Sequence, residues 1–543
     1  MNLKPLLPPK KQITAILLSL IILSGFLLRA HHLNFPSIGY HNMKENEFIG
    51  MAENMLRTND FFSRRIDFHS GLELNPDKIK LFPGGHLLAY QIALSRKLFP
   101  QSLYLGYARL FSILFFLVAI IFMYKSALIL TGSARIALLS AFILNILPLG
   151  VYFARNLQPE PHAFMFMLIG IYYYLLFVKN HRFRYLAFSG ISAVFIFLYK
   201  FTFLACYVPF LFVFPYTQLR KVISLRQIAV KSLLCFIPLV CVYLISVITK
   251  EFEFGASAGR VSPLTMFTLS YWKINGSIIK HYIINENYTI FYTFTALGGF
   301  LLLLFFSKDS LLKRYMSGWT LAIILYAAVL SDYINQHNYY QMPFLFLAAF
   351  NSAYFLGWIS RKIDRMLVRK IGILFVGVFV LLSLLGIVNA VKAHYNTVFY
   401  GQDVAGRYLN KHLNSNDRFF IYTFFQGYGT CVYAGRKCGW PQNLNELQTK
   451  EKELSINYIA IYPFNFFDGI PSDIKDYLAA NYHIAHIGLA LFPGQQTLIP
   501  YTLILRKGGK IDFKEFFNSQ KLNLADVYRI FQNKVMFYTL EED

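Results

Sequence analysis

Charged side chains are scarce in this chain of 543 residues. Asp, Glu, Lys and Arg together make up 15% of the sequence, whereas soluble domains carry roughly 25%. Hydrophobic residues make up 56% and aromatic residues 18%. The composition therefore excludes an ordinary soluble protein and predicts a mainly α-helical protein that crosses a membrane many times.

Acidic residues are scarcer than basic ones, with 28 Asp and Glu against 52 Lys and Arg. The net charge of +24 would suggest a nucleic-acid partner if the cations formed one soluble surface. They lie instead mostly in short clusters between apolar runs, which is typical of the cytoplasmic loops of membrane proteins. The sequence therefore predicts contact with membrane lipid and no nucleic-acid partner.

Cysteine and the common cofactor motifs are also rare. There are five Cys, without the spacing of a metal site. Cys431 and Cys438 could form a local disulfide if the C-terminal region lies in an oxidising compartment. The sequence has no HExxH, Walker or glycine-rich dinucleotide pattern, so no cofactor is predicted.

Eleven apolar runs are candidate membrane spans, most of them close to the roughly 20 residues that a bilayer requires. No small-residue cleavage site follows the first run, so we interpret it as an uncleaved span. The runs cover residues 13–31, 103–130, 134–153, 160–178, 185–199, 203–216, 232–249, 288–306, 317–333, 341–358 and 371–391.

The basic clusters indicate the topology. A further apolar run, 84–99, is short and interrupted by charged residues. If it is a surface helix rather than a span, and if the chain turns near Lys200 between two short spans, every later basic cluster falls on the cytoplasmic side with the N-terminus. Segments 32–102, 154–159, 250–287 and 332–340 then lie on the outer face.

Residues 394–543 have a different pattern, in which helical segments alternate with short apolar runs. We therefore divide the chain into a transmembrane module, 1–393, and a C-terminal α/β domain of about 150 residues on the outer face. The predicted helices are Val404–Leu413, Leu444–Leu454 and Ser472–Asn481, and the predicted strands are Phe419–Thr423, Tyr458–Tyr462 and Thr502–Leu505.

Two acids are candidate functional residues. Glu45 lies near the start of an amphipathic helix in the stretch 39–57, whose polar beginning we expect to face out of the bilayer. Glu160 lies between Pro159 and Pro161 at the start of a span. Either acid could simply complement a helix dipole. However, the topology inferred from Lys and Arg alone brings both to the outer face, where a boundary carboxylate is a functional candidate.

Several cations and aromatic residues accompany these acids on the same face. Arg155 and Lys80 lie in outer segments, Lys200 is a lone cation between two apolar runs, and His337 and Tyr340 lie at the outer end of a later span. Snorkelling to the interface would explain Lys200, and an interfacial belt would explain the tyrosine. Together the groups favour an anionic phosphate ligand, although a divalent metal bridged by Glu45 and Glu160 remains an alternative.

Over residues 13–390 the chain resembles the GT-C superfamily of polyprenyl-phosphate-sugar-dependent glycosyltransferases, particularly the protein O-mannosyltransferases and the lipid A aminoarabinose transferases. In that family an Asp-Glu pair precedes an amphipathic helix in the first outer loop. The matching stretch here is KENEFIGMAENML, in which Glu45 matches the second acid and Lys44 replaces the Asp. Glu160, HNYYQMP (337–343) and FPGGHLL (82–88) resemble further family elements.

The resemblance implies an integral membrane enzyme, typical of a bacterial inner membrane, that moves a sugar from a polyprenyl-phosphate donor to an acceptor hydroxyl with inversion. The acceptor could be a protein, a lipid or a glycan. A polytopic transporter or lipid flippase is the alternative, but the spans show no repeat-like halves with broken helices.

By the same resemblance, each candidate residue has an expected role. Glu45 is the base and Glu160 its partner in orienting a substrate. Lys44 is expected to tune Glu45. The donor phosphate is expected to contact Lys200, His337, Arg155, Lys80 and Tyr340.

The first testable prediction concerns topology. A reporter enzyme fused after residue 393 should be active only on the outer side of the membrane, because the basic clusters place that end of the chain outside. A cysteine introduced at Ser70 should react with an impermeant reagent added outside. Activity of the reporter in the cytoplasm would contradict the assigned topology.

Overall fold

The structure, a computed structural model, describes residues 9–61, 68, 71–73, 86–248, 265–367, 371–423 and 427–542. The chain divides into two compact units. The first contains Met1–Leu33, Pro83–Leu88 and Tyr107–His394, and the second contains Asn34–Phe82, Ala89–Gly106 and Tyr395–Asp543. Most of the first outer loop thus groups with the C-terminal residues, whereas the sequence prediction placed that loop with the transmembrane module.

The described helices are, in chain order, α1 (Pro9–Arg29), α2 (Asn42–Thr58), α3 (His86–Leu98), α4 (Tyr104–Thr131), α5 (Ala134–Ile146), α6 (Pro148–Phe153), α7 (Glu160–Asn180), α8 (Phe183–Lys200), α9 (Val208–Val213), α10 (Tyr216–Arg220), α11 (Leu225–Ile248), α12 (Leu269–His281), α13 (Thr289–Leu301), α14 (Ser310–Val329), α15 (Ser331–Ile334), α16 (Leu345–Met366), α17 (Ile371–Asn396), α18 (Gln402–His412), α19 (Tyr428–Ala434), α20 (Leu444–Glu453), α21 (Ser472–Asn481) and α22 (Phe513–Ser519). Short 3₁₀ segments cover Phe201–Tyr207 and Asn338–Phe344, and π-helical turns cover Tyr282–Asn287 and Leu302–Phe306.

Within the described part of the chain, eight helical segments are long and apolar enough to cross a membrane. The sequence predicted eleven spans, and three of the predicted runs have a different form in the structure. The run 134–153 is broken at Pro148 into α5 and α6. The run 203–216 is divided between the 3₁₀ segment Phe201–Tyr207 and the six-residue helix α9. The run 317–333 lies mostly in α14, whose first turns carry Lys313 and Arg314.

The predicted reversal near Lys200 is confirmed by side-chain contacts. After Lys200 the chain turns back along α8, because the Tyr207 ring approaches Ser189 and its hydroxyl donates to the Ser189 carbonyl. Further on, Phe210 stacks on Tyr174 of α7, with ring centroids 3.8 Å apart.

The run 84–99 is also confirmed as a short helix. Helix α3 has 13 residues, which corresponds to about 20 Å of helix.

A buried arginine fastens α1 to its neighbours in the first unit. The Arg29 side chain is fully buried, and its guanidinium donates to the Asn145 side chain at 2.9 Å and to the carbonyls of Asn145 and Gly150. Because buried guanidinium groups require partners, these bonds fix the end of α1 against α5 and α6.

The second unit is built around a seven-stranded sheet with the order β2-β1-β3-β5-β4-β7-β6. Strands β2, β1 and β3 are parallel, and the other neighbouring pairs are antiparallel. The strands are β1 (Arg418–Thr423), β2 (Lys437–Gly439), β3 (Tyr458–Tyr462), β4 (Tyr482–Leu491), β5 (Ile499–Lys507), β6 (Asn523–Ile530) and β7 (Asn533–Glu541).

Helices cover both faces of this sheet. Along β1, Phe420 and Tyr422 pack on one face with residues of α20 and α21, whereas Phe419 and Ile421 pack on the other with residues of α18 and α19. This alternation is the period of two expected for a strand buried on both sides. The predicted C-terminal α/β domain is therefore confirmed.

Helix α2 differs from the predicted surface helix. The sequence predicted a solvent-facing polar beginning, but Asn42, Glu45 and Asn46 are all buried. The side-chain amide of Asn42 donates a hydrogen bond to Oε1 of Gln402 in α18, at 3.0 Å. The reason for the difference is that residues of the C-terminal domain cover the polar face of α2.

The structure contains the disulfide that the sequence allowed. Cys431 of α19 is bonded to Cys438 of β2, with Cα atoms 5.9 Å apart. Disulfides persist mainly in oxidising compartments, so this bond agrees with the predicted outer location of the domain. The remaining cysteines, Cys206, Cys235 and Cys241, are free.

The second prediction follows from this pairing. A maleimide added to the denatured, unreduced protein should modify three cysteines, because the sulfur atoms of Cys431 and Cys438 are unavailable as thiols. After reduction it should modify all five, and mass spectrometry counts the adducts. Five adducts without reduction would contradict the disulfide.

Candidate functional site

An ion pair joins the ends of two neighbouring helices in the first unit. Glu160 begins α7 and Lys200 ends α8, and the Lys200 ammonium contacts Oε1 of Glu160. The Glu160 side chain is 2% exposed and that of Lys200 is 14% exposed. Both charges also suit the local helix dipoles, which was the structural explanation that the sequence allowed for Glu160.

Two tyrosine rings lie beside this ammonium group. Lys200 Nζ is 4.1 Å from the centre of the Tyr340 ring and 4.9 Å from that of Tyr339. The ring of His337 is stacked on Tyr339, with centroids 5.2 Å apart. The structure therefore brings together Glu160, Lys200, Tyr340 and His337, which the sequence selected from three separate segments.

The segment that carries these rings is held through its backbone. Tyr326 of α14 donates to the carbonyl of Tyr340 at 2.6 Å, and Tyr288 donates to the carbonyl of Gln341 at 2.7 Å. Asn287 bonds the side chain of Gln341 at 3.0 Å. Because a 3₁₀ segment makes few strong bonds of its own, these neighbours determine where the tyrosine rings lie.

Polar atoms beside the ion pair remain available for a ligand. Oε2 of Glu160 is buried and has no hydrogen-bond partner among the residues that the structure describes. The same is true of both polar side-chain atoms of Gln158, in the turn before α7. Since buried polar groups normally have a partner, these atoms indicate a place where a substrate or water binds.

Arg155 has a different environment from the one predicted. Its guanidinium is buried and donates to the backbone carbonyls of His31 and His32, at 2.5 and 3.2 Å. Burial, His31 and Arg155 together lower the pKa of His32 to about 4, so His32 is neutral near pH 7. Arg155 therefore holds the backbone after α1.

Sequence analysis missed an acid that lies near the predicted tyrosine segment. Glu286, in the π-helical turn before α13, accepts a bond from Asn338 at 2.6 Å and lies 3.6 Å from His394 Nε2. Burial opposes ionisation, but the bonds from His394 and Asn338 hold the pKa of Glu286 below its ordinary value. The available signal was an acid directly before a span on the predicted outer face, as it was for Glu160.

Glu45 lies in the second unit, where Ser37 donates from Oγ to its Oε2 at 2.7 Å. The Glu45 side chain is buried, and His41 precedes α2 in the left-handed conformation. Lys44 forms an ion pair with Glu47 at 2.8 Å. Lys80 lies outside the described residues.

Two further features bear on possible ligands. Among the described residues, no group of three or more His, Cys, Asp or Glu could hold a metal ion. A groove of about 620 Å³ lies between α1 and α5, lined almost entirely by apolar side chains such as Leu20, Leu27 and Phe142.

The comparisons with known proteins agree with this description. Residues 85–248 match the family model described as dolichyl-phosphate-mannose-protein mannosyltransferase. No curated protein matches the sequence.

Two solved structures are similar over most of the chain. ArnT from Cupriavidus metallidurans, bound to undecaprenyl phosphate, superposes with a TM-score of 0.54 at 13% identity, covering 92% of this chain and 98% of ArnT. The archaeal oligosaccharyltransferase AglB from Archaeoglobus fulgidus, in complex with an inhibitory peptide and a dolichol-phosphate, gives 0.53 at 11% identity, covering 90% of this chain and 74% of AglB.

At these identities the solved structures establish a shared fold, which is the predicted GT-C fold. Together with the family match, this fold confirms the predicted resemblance to the membrane glycosyltransferases of the GT-C superfamily. The interpretation as a glycosyltransferase is favoured over that of a transporter or flippase.

The third prediction tests the ion pair. Lys200→Met should lower the melting temperature of the purified protein, because removing one partner of a buried pair typically costs about 3–5 kcal/mol. The double variant Glu160→Gln, Lys200→Met should recover much of this loss, since no charge is left unpaired. A single variant as stable as the parent would show that the pair does not contribute.

Proposed function

We propose that this chain transfers a sugar from a polyprenyl-phosphate donor to an acceptor hydroxyl at the extracytoplasmic face of a membrane, with inversion at the anomeric carbon. The observation that carries the proposal is the convergence of Glu160, Lys200, Tyr340 and His337 from three distant segments. The shared fold with ArnT and AglB, which were solved with undecaprenyl phosphate and dolichol-phosphate, supports the choice of donor.

In this proposal Lys200 stabilises the phosphate that leaves the sugar. An ammonium group has three N–H donors, and the contact with Glu160 accounts for one. The side chain is mostly buried, so a charge contact with phosphate is stronger than it would be in water. The adjacent faces of Tyr339 and Tyr340 keep the ammonium group in place through cation–π contacts.

Glu160 has two roles in the proposal. Its Oε1 orients Lys200, whereas its Oε2 accepts a hydrogen bond from a hydroxyl group of the sugar or of the acceptor. A carboxylate is an acceptor for such hydroxyl groups. The buried Oε2 without a partner among the described residues supports this second role.

Glu45 is the proposed general base. As the new bond to the anomeric carbon forms, the Glu45 carboxylate takes the proton from the acceptor hydroxyl, and the bond to the lipid phosphate breaks on the opposite side of the sugar. The Ser37 hydroxyl keeps the carboxylate oriented. Lys44 tunes the charge environment of Glu45 through its ion pair with Glu47.

The function is tested by incubating the purified full-length protein with polyprenyl-phosphate sugars that carry a radiolabel in the sugar. Undecaprenyl-phosphate and dolichyl-phosphate mannose are the first donors, each with peptide, lipid or glycan acceptors. Release of lipid phosphate together with a labelled acceptor supports the proposal. In proteoliposomes, movement of the intact donor across the bilayer without its cleavage would contradict it.

The fourth prediction concerns the base. Glu45→Gln should reduce the transfer rate by about 10²–10⁴-fold, as expected for loss of a positioned general base, with thermal stability close to that of the parent. Lys44→Ala should reduce transfer less. Glu47→Gln is the matched control on the same helix, and full turnover of Glu45→Gln beside an inactive Glu47→Gln would assign the base to Glu47.

A further inference from the structure

Ser37 has all three of its polar groups bonded within the second unit. Its hydroxyl donates to Glu45 Oε2 at 2.7 Å. Its backbone N–H donates to the hydroxyl of Tyr433 at 2.7 Å, and its carbonyl accepts from the Asn46 amide at 2.8 Å. Ser37 and Asn46 are fully buried. A residue held at its N–H, its carbonyl and its hydroxyl keeps that hydroxyl, and therefore the carboxylate that it contacts, in one position.

Tyr433 belongs to the C-terminal domain, in a helix that a disulfide ties to the sheet. Tyr433 lies in α19, which also carries Cys431, and Cys431 is bonded to Cys438 of β2. The position of the Tyr433 hydroxyl thus depends on the sheet to which α19 is tied.

Helix α19 approaches α2 closely enough to require a small residue. A Cβ atom placed on Gly429 would lie 3.2 Å from Asn46 Nδ2 and 2.2 Å from Oε1 of Gln402. The same oxygen of Gln402 also accepts a hydrogen bond from the side-chain amide of Asn42. The C-terminal domain therefore contacts the beginning of α2 at two polar residues beside Glu45, in addition to the bond from Ser37 to Tyr433.

We propose that the C-terminal domain positions the Glu45 carboxylate through Tyr433 and Ser37, so that this domain is part of the catalytic apparatus and not only an appended binding module. Ser37 and Tyr433 are positioning residues. The proposal rests on the role of Glu45 in the proposed function, but the arrangement of Ser37, Tyr433 and Glu45 can be tested without it.

A carboxylate that accepts a hydrogen bond from a hydroxyl group is restricted in its rotation and stabilised in its charged form. Small displacements of a catalytic group cost large factors in rate, because reacting atoms must be aligned. Loss of the Ser37 hydroxyl should therefore change both the protonation of Glu45 and the transfer rate.

The test uses the full-length protein in detergent and three variants. Ser37→Ala removes the hydroxyl that donates to Glu45. Tyr433→Phe removes the hydroxyl that accepts a hydrogen bond from the Ser37 N–H. Tyr477→Phe is the matched control, because its hydroxyl bonds Glu451 elsewhere in the same unit. Dicyclohexylcarbodiimide modifies protonated carboxyl groups, so its reaction with Glu45 as a function of pH, followed by peptide mass spectrometry, reports protonation without an activity assay. Lys44 and Glu47 are unchanged in every variant.

We expect the labelling midpoint of Glu45 to rise by about one pH unit in Ser37→Ala, to rise less in Tyr433→Phe, and to stay at the parent value in Tyr477→Phe. Ser37→Thr, which keeps the hydroxyl, should restore the parent midpoint. If Ser37→Ala does not fold, Tyr433→Phe carries the test, because it keeps the ring. Unchanged midpoints in the folded Ser37 and Tyr433 variants would overturn the proposal.

Activity measurements separate this inference from the proposed function. Where the parent transfers sugar, Ser37→Ala should lower kcat at least tenfold with little change in KM for the donor. A parent without transfer activity whose Glu45 midpoint still shifts would refute the proposed function and leave the positioning role intact. Normal transfer in both variants with no shift would overturn the positioning role alone.

Discussion

The candidate site in the first unit is built on the contact between the Lys200 ammonium and the Glu160 carboxylate. An isolated charge in an apolar interior is costly, whereas a well-placed pair removes most of that cost. The pair closes the open end of the α7–α8 hairpin and leaves the rings of Tyr339 and Tyr340 beside the cation. In the proposed function, the same contact thus stabilises this end of the hairpin and orients the charge that the donor phosphate would meet.

The meeting of Glu160 and Lys200 could be predicted from the sequence. Helices α7 and α8 have 21 and 18 residues and are joined by a two-residue turn, so at 1.5 Å per residue their far ends lie at a similar height. The charge pattern predicted the direction of each span, and the apolar runs predicted the lengths of the spans. The same reasoning located the reversal after Lys200, which the contacts of Tyr207 confirm.

The missed features depend on contacts between distant parts of the chain. Ser37 and Tyr433 are 396 residues apart, and no local pattern signals their hydrogen bond. The polar beginning of α2 was expected to face solvent because hydrophobic periodicity shows which side is apolar, but not what covers the other side. Strand β4 was missed because it follows α21 without a turn, and β6 because its first three residues are all exposed instead of alternating.

The replacement of the family's Asp by Lys44 has a consequence for the choice of base. In an Asp-Glu pair, two adjacent carboxylates compete for the same partners. Here Lys44 binds Glu47 one turn further along α2, whereas the neutral hydroxyl of Ser37 contacts Glu45. In the proposed function, the base is thus oriented by a hydroxyl group, which donates a hydrogen bond without neutralising the carboxylate charge that proton transfer requires.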